Sequence, residues 1–534
     1  MSADSNAIGG RVFVTDISKL DALLKDGGII IPENSENGVY VLLKGPAGAG
    51  KSTLALLLAA KCARDGGPVL YCALEQSGYS LQRLSRSLNI DEKKWVWVEE
   101  DEPVPDLDDA RGFIYISGLQ TTSRRERAFE DYLELLVQQI DKNINIMDPE
   151  KISMIVIDSL NVFGRDPIER VEFEALKKGL AHKNRILLFI GELEEKRSQW
   201  DRLVDLVIDL GSKTLLGEYF LRTITIEKAR FQNHILGSHV IKIKGKRAFL
   251  VAPKEKVEAA PVDVEKDAGI GMFIYPSLHY HLSVAIDRKK RLEAKQELSP
   301  RQDGALLETG FEVLDKALNG GIKRGTMTAI SSNISYVARG VGLSFLANGV
   351  ENGERSLYLS LQDDPNNITK LPSSTDLLSM VRQKKLVIKS FRPGFISAEE
   401  FVDTIIKEIL DSSGLNAQFQ RVLFDDVGQI SLRFPLLDKA PVFLPTLMDI
   451  FKLYDMTALF LRTTISSGDS KSHSHTDDLY DLVNTVIEVQ EKELSSTAEA
   501  AVRIRKIAEQ YYVPQDLKLR IDQMSGGRIY IEEK

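Results

Sequence analysis

The residue types able to do chemistry gather in one run, Gly45-Pro46-Ala47-Gly48-Ala49-Gly50-Lys51-Ser52-Thr53. It fits G-x-x-x-x-G-K-[ST], a loop that wraps backbone N–H groups around a phosphate chain. The glycines let the backbone approach an anion with no Cβ in the way. A helix opening directly after the loop sets its positive pole beneath the phosphates. Lys51 is expected to reach the β- and γ-phosphates and Ser52 to hold Mg²⁺. The expected phosphate-binding set is therefore Gly45, Gly48, Ala49, Gly50, Lys51, Ser52 and Thr53.

Such a loop works only between a strand and a helix, and both are legible. Residues 39–43 (Val-Tyr-Val-Leu-Leu) read as a buried strand, and residues 54–60 (Leu-Ala-Leu-Leu-Leu-Ala-Ala) as a buried helix. Gly66-Gly67 ends that helix, and residues 68–74 form the next buried strand, closing a βαβ unit. Its far end carries Glu75. In a parallel sheet that end lies on the ligand side, so Glu75 is a candidate for orienting and deprotonating an attacking water. A solvated loop residue or helix cap is the other reading of Glu75. Residues 152–159 (Ile-Ser-Met-Ile-Val-Ile-Asp-Ser) are an apolar strand ending in an acid, which makes Asp158 a candidate Mg²⁺ residue beside Ser52.

Size and composition set the frame. The chain has 534 residues, 43% hydrophobic and 27% charged, which is ordinary for globular domains. A net charge of −8 disfavours a protein that coats nucleic acid, because phosphate neutralisation needs a basic surface. Cys62 and Cys72 lie in apolar surroundings and read as buried core residues of a reducing compartment. No apolar run approaches a membrane span and no signal peptide is evident, so a cytoplasmic protein is expected. His279, His281, His473 and His475 lack partners at metal-site spacing, and no nucleophile elbow is present.

The pattern then begins again. Laid on the first half without gaps, Gly325 falls on Gly38, Gly353 on Gly66, Tyr358 on Tyr71 and Leu361 on Leu74. This is duplication of a whole domain, and the expected division is 1–295 and 296–534. The second copy has lost the chemistry. Ser332, Ser335 and Val337 replace Gly45, Gly48 and Gly50, while Ala338 and Arg339 replace Lys51 and Ser52. Valine resists the positive φ a glycine allows. The second copy is therefore expected to bind ATP poorly, although Arg339 keeps open the binding of a different anion. Asp425 and Asp426 end its counterpart of the Asp158 strand.

The lead-in over 314–325 (Leu-Asp-Lys-Ala-Leu-Asn-Gly-Gly-Ile-Lys-Arg-Gly), the phosphate loop, the Asp158-Ser159 pair and the tandem arrangement resemble the KaiC-like branch of the RecA superfamily. The resemblance implies an α/β fold of two RecA/KaiC-like P-loop domains, each a mostly parallel sheet flanked by helices. It implies ATP and Mg²⁺ as ligands and a homo-oligomer, usually a hexamer, with ATP at subunit interfaces. A paired acid activates water in that family; Glu75-Gln76 offers one acid, so slow hydrolysis is expected. A Lys-x-Arg motif reaches the neighbour's γ-phosphate, and the matching residues are Lys228 and Arg230. A strand-edge surface pair is the other reading of these two. Ser472, Ser474 and Thr476 lie nearest the family's phosphorylated pair. Three functions stay open: a slow ATPase switch or scaffold for a protein partner, in signalling or phage defence; a DNA-dependent motor, disfavoured by the acidic balance of 161–174; and an assembly that ATP merely stabilises.

Overall fold

A computed structural model describes residues 10–533 except 34–35, 91–94, 99–113, 119–151, 161–173, 175–176, 193–199, 216–218, 247–268, 295–303, 362, 369–375, 392–397, 412–417, 435–442, 464–478, 492–498, 509–511, 513–515 and 523–527. The acidic loop and surface helix read over 100–112 and 124–142, most of 161–174, and Ser472, Ser474 and Thr476 fall outside the described residues. The chain divides into two compact units, Met1–Ser277 and Leu278–Lys534.

The first unit opens with an antiparallel pair, β1 (Gly10–Phe13) and β2 (Ile29–Pro32). Its sheet is built from β3 (Val39–Lys44), β4 (Val69–Ala73), β5 (Trp95–Val98), β6 (Ile114–Gly118), β7 (Met154–Asp158), β8 (Ile186–Gly191), β9 (Leu206–Leu215), β10 (Tyr219–Ala229), β11 (Ser238–Lys244) and β12 (Gly271–Tyr275). The spatial order is β12-β11-β10-β9-β3-β8-β7-β4-β6-β5. From β9 to β5 the pairings are parallel; from β9 to β12 they are antiparallel. Strands β3, β4, β7 and β8 are buried along their whole length, which explains their unbroken Val/Ile/Leu runs. Because these four run parallel, the residues after their C-terminal ends meet on one side of the sheet.

The second unit repeats this plan. Its strands are β13 (Leu306–Leu307), β14 (Ile322–Lys323), β15 (Met327–Ser332), β16 (Ser356–Ser360), β17 (Leu386–Ser390), β18 (Arg421–Asp425), β19 (Thr457–Thr463), β20 (Thr485–Glu491), β21 (Glu499–Ile507), β22 (Asp516–Asp522) and β23 (Arg528–Glu532). The order β17-β16-β18-β19-β15-β20-β21-β22-β23 reproduces the first sheet from β6 to β12. The short helices Leu20–Leu23 and Glu312–Ala317 also correspond. Duplication is thus a property of the topology as well as of the sequence.

The division falls earlier than the expected 295/296. Helix Leu278–Ala294, whose charged end reads as a connector, belongs with the second core. Ala285 is fully buried there, Leu278 and Leu282 pack beside it, and Tyr454 Oη donates to the Ala285 carbonyl. An apolar stripe on a helix settles which body it joins, whatever charge its far end bears. That core is built on phenylalanines. Phe401 is fully buried, stacks on Phe434 with ring centroids 4.9 Å apart, and meets Phe391 edge-on at 4.8 Å. Replacing Phe401 with Ala is expected to cost the second unit about 3–5 kcal/mol, read as a lowered denaturation midpoint.

Candidate nucleotide site

Strand β3 delivers the chain to Gly45 and the helix Lys51–Arg64 takes it away. Gly45 has φ 135°, and a Cβ there would sit 1.9 Å from the Leu210 carbonyl oxygen on β9. Only glycine fits. Gly50, at φ 107°, holds the last loop residue out of the helix. The first helical hydrogen bond described after the loop runs from Leu54 N to Gly50 O, 2.9 Å. The amides of Lys51, Ser52 and Thr53 therefore stand at a helix N-terminus, where backbone donors have no intrahelical acceptor.

Side chains from three further strand ends close in on this loop. Lys51 Nζ donates to the carbonyls of Gly45 and Pro46 at 2.8 Å each and lies 3.5 Å from Glu192 Oε1, past the end of β8. Burial lowers the Lys51 pKa, while Glu192, Asp158 and Glu75 oppose that shift. Asp158, at the end of β7, accepts a 2.7 Å hydrogen bond from Tyr71 Oη and another from Ser52. Burial raises its pKa; those two bonds and Lys51 pull it back. Ser52 Oγ also accepts from Gln76 Nε2 at 3.1 Å. Glu75, past the end of β4, bonds the Ser159 side chain. Its pKa is raised by burial and then by the charges of Glu192 and Asp158.

These residues line a cavity of about 420 Å³, within the usual range for small-molecule sites. Gly48, Gly50, Lys51, Ser52, Thr53, Glu75 and Asp158 all face it, whereas Gly45 and Ala49 are buried in the loop's base and do not. Arg222 on β10 also lines it, with Nε donating to Gly48 O at 2.9 Å and the guanidinium over the Phe220 ring. A larger cavity, about 710 Å³, lies against the same helix around Leu57, Lys61, Arg64 and Trp95. It contains none of the loop residues, and Asp16 already pairs with both Arg64 and Lys61. The smaller cavity holds the chemistry.

A family model described as ATPase: KaiC matches residues 13–256 and again residues 307–534. The chain belongs to the KaiC family of ATPases. A search of curated proteins gives no match. Membership in this nucleotide-binding family fits the donor set around Ser52. Mg²⁺ takes hard oxygen ligands, keeps several waters and needs only one or two protein groups beside phosphate oxygens. Ser52, steadied by Asp158 and Gln76, and Asp158 itself are the residues that would hold it.

Lys228 and Arg230 stand elsewhere in the KaiC fold. Lys228 Nζ donates to the carbonyls of Asp201 and Val204 at 2.7 and 2.6 Å, at the helix Trp200–Leu203. In the second copy Lys506 Nζ makes the matching bond to Tyr480 O, 2.9 Å, at the helix Leu479–Leu482. The lysine thus serves the scaffold in both copies. Arg230 differs: its guanidinium is half exposed and touches Asp205 Oδ1 at 2.9 Å. Ala508 replaces it in the second copy, and only the backbone bond to Asn484 remains.

The second KaiC copy shows what its substitutions do. Its helix is Ser335–Glu351, so the residues aligned with Gly48, Ala49 and Gly50 are wound into a first turn. Val337 N and Ala338 N bond Ile334 O. Arg339, in the place of Ser52, reaches Asp425 at 2.8 Å and Asp363 at 2.6 Å, while Tyr358 Oη donates to Asp425. Two carboxylates already hold the guanidinium that could have met another anion. Gln76, Glu192, Arg222 and Tyr71 escape sequence reading; the strand-end rule that finds Glu75 applies equally to Glu192. Replacing Arg339 with Ala should cost about 3–5 kcal/mol, because it strands the buried Asp425 carboxylate. Millimolar Mg²⁺ or Ca²⁺ should recover part of that loss in a thermal melt of R339A, and do nothing comparable for the wild type.

Proposed function

We propose that the first domain binds ATP and hydrolyses it slowly, and that the second is a pseudo-ATPase domain. On this reading the chain is a homo-oligomer, a hexamer by family habit, that presents nucleotide-dependent surfaces to a protein partner in the cytoplasm. Signalling and phage defence are roles such a switch would serve. The observation that carries this is the contrast at one alignment position. Ser52 sits with Asp158 and Gln76 beside Lys51, whereas Arg339 spans Asp425 and Asp363 beside Ala338.

In the first domain the loop amides and Lys51 bind the phosphates, and Ser52 and Asp158 would hold Mg²⁺, which when bound would supply positive charge beside the phosphates. Glu75 orients the attacking water and takes its proton. It acts without an adjacent acid in sequence, since Gln76 is engaged with Ser52. Arg230 is the trans cation: half exposed on its own subunit, it reaches the neighbour's γ-phosphate, while Lys228 braces the segment that presents it. Such a cation ties turnover to assembly.

Mass measurement with and without ATP and Mg²⁺, alongside phosphate release, tests the reading. Wild type should assemble with nucleotide and release phosphate. K51A should lose ATP binding roughly 100-fold or more. R230A should still bind ATP but lose turnover by about 10³. A monomer under both conditions removes the trans role, and stimulation by single-stranded DNA favours a motor. The pH profile gives a second test. Glu75 is a base only when ionised, and its pKa is raised. Activity should therefore fall on acidification at a higher pH than an unperturbed glutamate would set, and the residual activity of E75Q should lack that limb.

A further inference from the structure

Lys51 stands among more negative charge than phosphate binding asks for. Glu192 Oε1 lies 3.5 Å from its ammonium, and the Glu192 side chain is 40% exposed at the cavity. The position follows from the fold. Gly191 pairs with Lys44 in the β3–β8 ladder, so the next residue emerges beside the phosphate loop. Glu192 also acts at a distance on the other two acids, opposing ionisation of both Asp158 and Glu75. An acid that served only the strand would be kept wherever the strand is; one that acts on Lys51 is needed only where the lysine is.

The duplication separates these cases. Ser331 pairs with Arg462 and Ser332 with Thr463 in the β15–β19 ladder, so Thr463 occupies the register of Glu192. Ala338 occupies that of Lys51. The acid and the ammonium occur together in the first copy and are both replaced in the second. Thr463 there makes a neutral contact, with its hydroxyl 3.1 Å from Ser335 Oγ.

We propose that Glu192 is a built-in rival of the γ-phosphate for Lys51, weakening ATP binding and hastening the departure of product phosphate. This rests on the reading of the first domain as an ATPase. A triphosphate brings two or more negative charges to the lysine that Glu192 contacts, and like charges at a few ångströms repel even when one of them is partly exposed. ADP, lacking the γ-phosphate, meets less of this. Glu192 acts through Lys51 and so is a positioning residue.

The test compares E192Q, E192D and wild type by equilibrium binding of a non-hydrolysable ATP analogue and of ADP, both with Mg²⁺, at low and high salt. E192Q should tighten the ATP analogue about 10-fold at low salt, with a smaller gain in high salt. ADP should tighten much less, and inorganic phosphate should inhibit E192Q turnover at lower concentration. E192D keeps the charge and should stay near wild type. Unchanged or weaker analogue binding by E192Q overturns the proposal. So does a fall in turnover with unchanged binding, which would make Glu192 a partner of Glu75 in water activation. K51A is the control for the underlying reading: if it binds ATP as wild type does, that reading fails before Glu192 is at issue.

Discussion

A backbone amide that bonds a carbonyl of its own helix is no longer free to bind an anion. The two halves of the chain spend the aligned amides differently. In the first half, glycines at φ 135° and 107° keep the residues after β3 out of the helix, which begins at Lys51. In the second, Val337 is helical and its amide is spent on Ile334. The helices end at aligned residues, Arg64 and Glu351, so the whole difference lies at the phosphate end. The side-chain losses at Ala338 and Arg339 sit on top of a change already made in the backbone.

The two copies also separate scaffold from chemistry. Tyr71 bonds Asp158 and Tyr358 bonds Asp425; Lys228 and Lys506 each brace a short helix; Asp205 and Asn484 each accept from the amide next to a central strand's start. These contacts recur where Lys51 and Ser52 are replaced by Ala338 and Arg339, so they hold the fold. A charge cluster behaves otherwise. Lys44, buried at the end of β3, pairs with Asp201 at 2.9 Å and with Glu227 at 2.6 Å, and Ser331 replaces it in the second copy. Burial would lower its pKa, yet the two carboxylates leave it raised. Glu227 lies at the β-bulge just before Lys228. Lys44 therefore ties the strand that carries the phosphate loop to the segment that carries Arg230.

Much of this was legible in the residues. The strand and helix that flank residues 45–50, the strand that ends at Asp158, the tandem plan and the burial of Cys62 and Cys72 follow from local pattern, and the structure has them as expected. What local pattern cannot show is which strands lie side by side. Glu192 is remote in sequence from Lys51 and meets it only because β8 pairs with β3. Arg222 reaches Gly48 across an antiparallel addition to the sheet. The Lys-x-Arg motif names Lys228 and Arg230 together, but only the fold shows that Lys228 donates to carbonyls of its own chain. The helix Leu278–Ala294 lies before the expected 295/296 division, and its buried stripe packs into the second core.

The extra helical turn at Ser335 bears on how reversible this divergence is. Writing Lys and Ser back at 338 and 339 would place them at the end of the first turn of an already formed helix. The new lysine would enter a position whose alanine is 3% exposed, among apolar neighbours that include Val337 and Val341. Recovery would require unwinding the turn first, through glycines at 335 and 337, before either side chain brought any benefit. Restoring the two side chains alone would leave the amides of Val337 and Ala338 still bonded to Ile334 O.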